Sequence, residues 1–263
     1  MVELTNIQVF NFEGAIRGMR QPFKNTQKSD SIFGIASDEC YYDIASDWIT
    51  DTFFIDSPDE FECVLSYYDQ GILNDDEGAI QYALLGPADL DLAQRLAKAG
   101  SPHNKFLRQI LVSFDINAPL YWWKEMDTYK VGTVANSEST MHTIMKREFQ
   151  PSDFSFDGSF YHNNELRVQT GMTVLQQQIF LLNTLRKHWL EEENIDRKKK
   201  IWKTIIQMLP SSYMQKRTWT GDYAILRAQV EQREGHRLTE WTEDYLRPLH
   251  ALPYAENLIF YRG

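Results

Sequence analysis

The sequence has little cysteine, with Cys40 and Cys63 the two in 263 residues. Two thiols without a CxxC spacing or a nearby histidine cluster exclude a disulfide framework and argue against a structural zinc site. Both read as small buried or half-buried side chains. Positive charge is also in deficit: 27 Lys+Arg against 37 Asp+Glu give a net charge of -10. Duplex nucleic acid is therefore an unsuitable partner, because phosphate contacts need a basic surface. A local basic pocket for one small anion stays open. No run approaches the ~20 apolar residues of a membrane span. Met1 to Thr5 does not lead from a basic region into an apolar one. The expectation is a soluble, reduced, cytoplasmic protein without membrane contact.

Familiar catalytic motifs are missing too. There is no GxSxG, Walker A or GxGxxG, and the histidines at 103, 142, 162, 188, 236 and 250 show no HExxH-type spacing. No metal is expected. Repeats, low-complexity tracts and Pro/Ser/Gly linkers are absent. The chain reads as one domain over residues 1–263, with an insert-like acidic and aromatic region at about 25–85.

What is present is buriable surface: 43% hydrophobic and 13% aromatic residues, too much for a disordered chain. Leu4 to Phe12 reads as a short strand and Glu13 to Phe23 as a short helix or loop. Residues 25–60 have no clean period. Glu60 to Tyr68 (EFECVLSYY) is rich in strand formers and is expected to be a strand. Asn74 to Gly78 is a turn signal, with Ile80 to Leu85 as a hairpin partner. Pro87 to Ala99 is a helix, with proline near its start, Gly100 after its end, and Leu92 and Leu96 one turn apart. In Phe106 to Ile116, Ile110, Val112, Phe114 and Ile116 alternate with Leu111, Ser113 and Asp115, a strand with one apolar face. Asn117-Ala118-Pro119 ends it, and Leu120 to Tyr129 follows as an aromatic helix.

The second half is mostly helical. Met172, Leu175, Ile179, Leu182, Leu185 and Trp189 step by three or four. Ile201, Ile205 and Met208 form the stripe of the next helix, which stops before Pro210. Further helices are expected at about Asp222 to Glu234 and Leu238 to His250. The fold class is α+β, strands mainly early and helices mainly late.

Three features carry chemistry. Arg233 extends the apolar stripe of Tyr223, Leu226 and Val230, and a guanidinium on that side needs a partner. It either clamps a planar amide, carboxylate or phosphate, or pairs with a nearby carboxylate at a helix end. In Ala118 to His142, hydroxyls and amides crowd around Gly132 beside Lys124 and Lys130. That composition suits a cradle for an anion such as phosphate, or a polar loop that caps a helix. His103 sits in the turn Gly100-Ser101-Pro102-His103-Asn104, as a site residue or a plain turn residue. Arg197 to Lys200, following Glu191 to Glu193, reads as a solvated helix face.

The order of these features resembles the flavin-dependent thymidylate synthases, the ThyX family. There, a helix ending in glycine and a histidine-containing turn lead into a strand ending in Ala-Pro, then an aromatic helix and the signature RHRxxSxNExSxRY. Here Gly100, His103, Phe106 and Ala118-Pro119 follow in that order. Lys124 falls on a family arginine, Thr128-Tyr129-Lys130 on Arg-His-Arg, and Thr133 on the serine. With one inserted residue, Asn136 falls on the asparagine and Ser139 on the later serine, with Met141 and His142 on Arg-Tyr. Further on, Pro210, Trp219-Thr220, Asp222, Arg233 and Glu240 resemble the family's second conserved stretch. The resemblance covers roughly residues 86–142 and 209–245.

The resemblance implies a ThyX-like fold with a curved antiparallel sheet, a homotetramer, and FAD-dependent methylation of dUMP or a related pyrimidine nucleotide. NADPH and methylenetetrahydrofolate would be the co-substrates. By the same resemblance Arg233 and Ser139 belong to the reaction centre, Arg233 on the uracil carbonyls and Ser139 with Lys130 near the nucleotide phosphate. His103, Lys124, Tyr129, Lys130, Thr133, Asn136 and Asp222 belong to the cofactor. The signature keeps no arginine and has lysine instead, which supplies charge without the planar fork. Asp222 replaces an asparagine and adds negative charge. A second reading therefore stands beside the first: a related fold without the chemistry, serving as a nucleotide-binding or protein-interaction module.

Overall fold

In a computed structural model the chain is an α+β protein with antiparallel strand pairing. The structure describes residues 1–53, 55, 57–76, 78–156 and 165–263, with backbone only at 75–76 and 165–173. The first elements are β1 (Glu3–Phe10), α1 (Phe12–Arg20), β2 (Ile32–Ser37), α2 (Asp38–Phe53), α3 (Pro58–Tyr68), β3 (Ile72–Asp76), β4 (Ala79–Leu84) and α4 (Pro87–Lys98). Next come β5 (Leu111–Pro119), α5 (Leu120–Met126), β6 (Val134–Ser137), α6 (Thr140–Thr143), α7 (Glu165–Glu191), α8 (Ile195–Met208), β7 (Met214–Asp222) and α9 (Tyr223–Arg233). A π-helical turn, Glu240–Leu246, a 3-10 turn and α10 (Ala255–Leu258) end the chain. Four strands form a sheet of order β1-β5-β7-β6, and three form a sheet of order β2-β4-β3.

The chain forms two compact units. One contains Met1–Glu3, Ile116–Tyr129 and Ala135–Thr218. Its apolar centre is Ile144, Phe149, Phe154, Leu182 and Ile205, with Leu175, Ile179, Leu185 and Ile201 against it. These are the stripes expected of α7 and α8. Met172 belongs to the same stripe, but its side chain lies outside the described residues, as does His162. Arg217 lies over the Trp123 ring at 4.0 Å and pairs with Asp127 at 2.7 Å.

The other unit contains Leu4–Asp115, Lys130–Val134 and Trp219–Gly263. Ile110, Val112 and Phe114 are fully buried while Leu111 is exposed, as alternation requires. Phe114 stacks on Trp219 with centroids 5.0 Å apart. Phe12 meets both Tyr223 and Tyr254. The Tyr254 hydroxyl donates to the Ala83 carbonyl and accepts from the Leu85 N–H, tying the chain's last turns to β4.

Four expectations need correction. Glu60 to Tyr68 is helix α3, not a strand. Ser57 caps it by accepting from the Glu60 N–H at 3.2 Å, with Pro58 in the first turn. Phe61, Val64, Leu65 and Tyr68 then share one packed stripe at helical spacing. The hairpin partner of β4 is instead β3, with β2 on its other side. Cys40 and Cys63 are exposed, because Cys63 falls off that stripe and Cys40 off the stripe of Tyr41, Ala45 and Ile49. The stretch after Leu238 is a π turn followed by a 3-10 turn rather than one regular helix.

Candidate functional site: a cavity at the start of helix α9

The second unit contains a cavity of about 610 Å³, within the size range of small-molecule sites. Three segments of sequence build it, and each approaches for a local reason. The first is the end of α4. Gly100 adopts φ +86°, a left-handed conformation that stops the helix at little steric cost. Its carbonyl accepts from the N–H groups of His103 and Asn104 at 2.9 and 3.0 Å, closing a tight turn. Lys105–Arg108 follow as a 3-10 turn anchored by buried Phe106 and Leu107, which leaves Arg108 exposed along the cavity wall. Lys98 lies on the α4 side of the same turn.

The second segment is Val131-Gly132. Gly132 has φ +78°, and a Cβ there would come within 3.3 Å of Asp222 Oδ2. The third is the junction of β7 and α9. Asp222 is extended and caps α9, its carboxylate accepting from the Ile225 N–H at 2.9 Å. The Tyr223 N–H donates to the Ile110 carbonyl at 3.1 Å, and its buried hydroxyl to the Pro253 carbonyl at 2.8 Å. These bonds hold the strand-to-helix corner.

The cavity's charges are Lys98, Arg108 and Arg227 against Asp222 and Glu231. Arg227 is committed: its Nη1 donates to the carbonyls of Leu258 and Tyr261 at 3.2 and 2.6 Å, and Nε lies 3.3 Å from Glu231. Burial lowers its pKa from the ordinary value. Arg108 makes no hydrogen bond or ion pair among the described residues, and its charge acts on Asp222. Asp222 is 8% exposed. Burial raises its pKa, against the opposing pull of the Ile225 and Ala224 N–H groups and of Arg108.

Of the residues singled out from sequence, Asp222 lines this cavity. Lys130, exposed, and Thr133, half-buried, flank Val131 and Gly132. His103 is exposed in the turn whose Gly100, Ser101 and Asn104 line the wall. Arg233 lies further along α9, half-buried, 4.6 Å above the Trp241 ring, with Nη1 3.2 Å from His236 Nε2. Four others belong to the first unit. Lys124 is exposed on α5, Tyr129 is buried, Asn136 is exposed in β6, and Ser139 is exposed where α6 begins. The polar run around them is thus partly a strand, β6, which its composition did not suggest.

Lys98 and Arg108 were not singled out from sequence. Basic residues on both sides of the Gly100 turn were the available signal. Among the described residues no group of His, Cys, Asp or Glu side chains could hold a metal ion, and no helix is long and apolar enough to cross a membrane.

No family model matches the chain, and neither does any curated protein. Among solved structures it is similar to thymidylate synthase X (ThyX) from Helicobacter pylori with FAD and dUMP. That similarity has 17% identity and a TM-score of 0.49, over 87% of this chain and 96% of the other. A second structure of the Helicobacter pylori flavin-dependent enzyme, also complexed with FAD and dUMP, gives 16% identity and a TM-score of 0.47, over 87% and 97%.

Proposed function

We propose that this chain is a ThyX-like nucleotide-binding protein whose α9 cavity takes FAD or a pyrimidine nucleotide such as dUMP. The observation that carries this reading is that Lys98 and Arg108, the latter without a hydrogen bond or ion pair among the described residues, both line one cavity of about 610 Å³. Two cations facing a ligand-sized space suit phosphate, and arginine adds a bidentate fork. The lining also includes aliphatic Val131, Ala224, Ile225 and Ala228, which suit the flat face of a base or flavin ring. The residues present therefore fit a nucleotide's phosphates and offer a ring an apolar bed without an aromatic stacking partner. The ordered spacing of Gly100, His103, Ala118-Pro119, Asp222 and Arg233 supports the ThyX-type reading.

In its full form this reading is FAD-dependent methylation of a pyrimidine nucleotide, with NADPH and methylenetetrahydrofolate as co-substrates and a homotetrameric assembly. FAD, when bound, would supply the redox chemistry. The chain's own residues would bind and orient: Lys98 and Arg108 on phosphate, with Lys130, Thr133 and His103 beside them, while Arg233, which does not line the cavity, is given the pyrimidine by the ThyX resemblance alone. The second reading, a binding module without the chemistry, is favoured by the missing signature arginines and by Arg227, which is spent on backbone carbonyls.

The test is the absorption spectrum of the purified chain before and after addition of FAD and dUMP, followed through gel filtration. Flavin bands that co-elute with the protein, and are lost in Arg108→Ala, are the expected result. Methyl transfer from methylenetetrahydrofolate then separates the enzyme from the module. A chain that elutes colourless and gives no calorimetric signal with either ligand refutes the binding reading.

A further inference from the structure

We propose that Asp222 is the specificity-determining residue of the α9 cavity, accepting hydrogen bonds from the ribose hydroxyls of a ribonucleotide whose phosphates lie on Lys98 and Arg108. The inference rests on the FAD side of the reading above, because FAD carries an ADP ribose with both hydroxyls, and it disfavours dUMP, which lacks the 2′-hydroxyl, as the occupant of this cavity.

A buried carboxylate is costly unless its lone pairs are used. Asp222 is 8% exposed and spends hydrogen-bonding capacity on the cap of α9, where an oxygen accepts from the Ile225 N–H. A carboxylate has about four acceptor directions, so capacity remains, and the residue lines the cavity. Gly132 leaves Oδ2 bare, because a side chain there would press on it.

The surroundings then decide what the carboxylate accepts from. Lys98, Arg108 and Arg227 share the cavity with Asp222 and Glu231. An ammonium ligand would meet three cations, whereas an anion would be drawn to Lys98 and Arg108. The group presented to Asp222 must therefore be a neutral donor on an anionic molecule. Asp222 also occupies the helix N-terminus itself, so a phosphate is displaced from that position toward Lys98 and Arg108. Arg108 and Asp222 line the same cavity, so a ligand that reaches both carries its donor near its phosphate. In a nucleotide the sugar hydroxyls meet that requirement and the base edge lies further away. An acidic side chain on a ribose hydroxyl is an established physical solution on other folds.

The experiment is isothermal titration calorimetry of the full chain with ADP, 2′-deoxy-ADP and inorganic pyrophosphate. Wild type is compared with Asp222→Ser and Asp222→Asn, both of which keep a capping oxygen, with far-UV circular dichroism to verify folding. Wild type is expected to bind ADP roughly tenfold or more tighter than 2′-deoxy-ADP, as a hydrogen bond to a charged acceptor implies. In both variants that ratio falls toward one while pyrophosphate binds more tightly, a like charge having been removed. Equal binding of ADP and 2′-deoxy-ADP by wild type, or an undiminished ratio in a folded variant, overturns the role of Asp222. Pyrophosphate binding would then still support the phosphate site, whereas silence with all three ligands overturns the phosphate site and the role of Asp222 together, and the titration with FAD and dUMP described above decides the wider reading separately.

Discussion

The side-chain amide of Asn74 pairs with both backbone groups of Val9. The Val9 N–H donates to Asn74 Oδ1 at 3.3 Å, and Asn74 Nδ2 donates to the Val9 carbonyl at 3.0 Å. One side chain thus does the work of a neighbouring strand for β1. It is presented just after a register irregularity in β3, between Ile72 and Asn74. Nδ2 also donates to Gln81 Oε1 at 2.8 Å, which orients the amide. Asn74→Ala is expected to destabilise the chain by about 1–3 kcal/mol, since Val9 is buried and its groups would be left unpaired. Asn74→Asp should cost at least as much, because a carboxylate cannot donate to the Val9 carbonyl. Urea unfolding of the three proteins checks this, and an Asp variant as stable as wild type contradicts it.

Arg20 and Asp89 form a buried ion pair, 5% and 0% exposed at the side chain. Asp89 also accepts from Ser29 and Ser31, while Asp30 accepts from the Ala88 and Asp89 N–H groups at the start of α4. Removing one partner leaves the other charge uncompensated. Asp89→Ala is expected to cost about 3–5 kcal/mol, and Ser31→Ala about 1 kcal/mol. Equilibrium denaturation gives both values, and comparable losses in the two variants would contradict the ion pair's dominance.

The pKa of Asp222 is raised in the folded chain, chiefly by burial. A raised carboxyl group binds its proton more tightly in the folded state than in the unfolded one. Its contribution to stability is full below the ordinary carboxylate range and is lost as pH rises through the raised value. Asp222→Asn keeps the helix cap and removes the titration. The variant should therefore gain stability relative to wild type between acidic and neutral pH. Melting temperatures taken from pH 4 to pH 7 test the sign, and a gap that narrows in favour of wild type on going to pH 7 contradicts it.

Arg233→Ala is expected to abolish dUMP binding while the fold survives, if the proposed pyrimidine role holds. The structural loss should stay within the about 0.5–2 kcal/mol of its stacking on Trp241. Calorimetry with dUMP, beside a melting curve, separates the two effects. Unchanged affinity in a folded variant removes Arg233 from the nucleotide site.

Local order along the chain was open to reading where neighbours in sequence decide it. The alternation of Ile110, Val112 and Phe114 places one face of β5 inward whatever packs on it. Pro87 and Gly100 bracket α4 through their own backbone preferences, although its buried stripe proved to be Asp89, Ala93 and Ala97 rather than Leu92 and Leu96. In α3 the cap Ser57-Pro58 and the period of Phe61, Val64, Leu65 and Tyr68 outweighed strand-forming composition, and both signals were already in the sequence. Strand β7 was hidden, because Met214 to Asp222 gains its partners from β5 and β6 rather than from its own pattern.

The sequence by itself determined the α+β class, the approximate bounds of α4 and α9 and the apolar face of β5, all set by propensity, periodicity and contacts within a few residues. Only the tertiary structure decided that Lys98, Arg108, Gly132 and Asp222 surround one space, that Arg227 spends its guanidinium on Leu258 and Tyr261, and that Arg233 rests on Trp241. Those arrangements join segments far apart along the chain. They exist once buried apolar surface offsets the entropy of closing the loops between them, and no local pattern of residues records which distant segment will arrive.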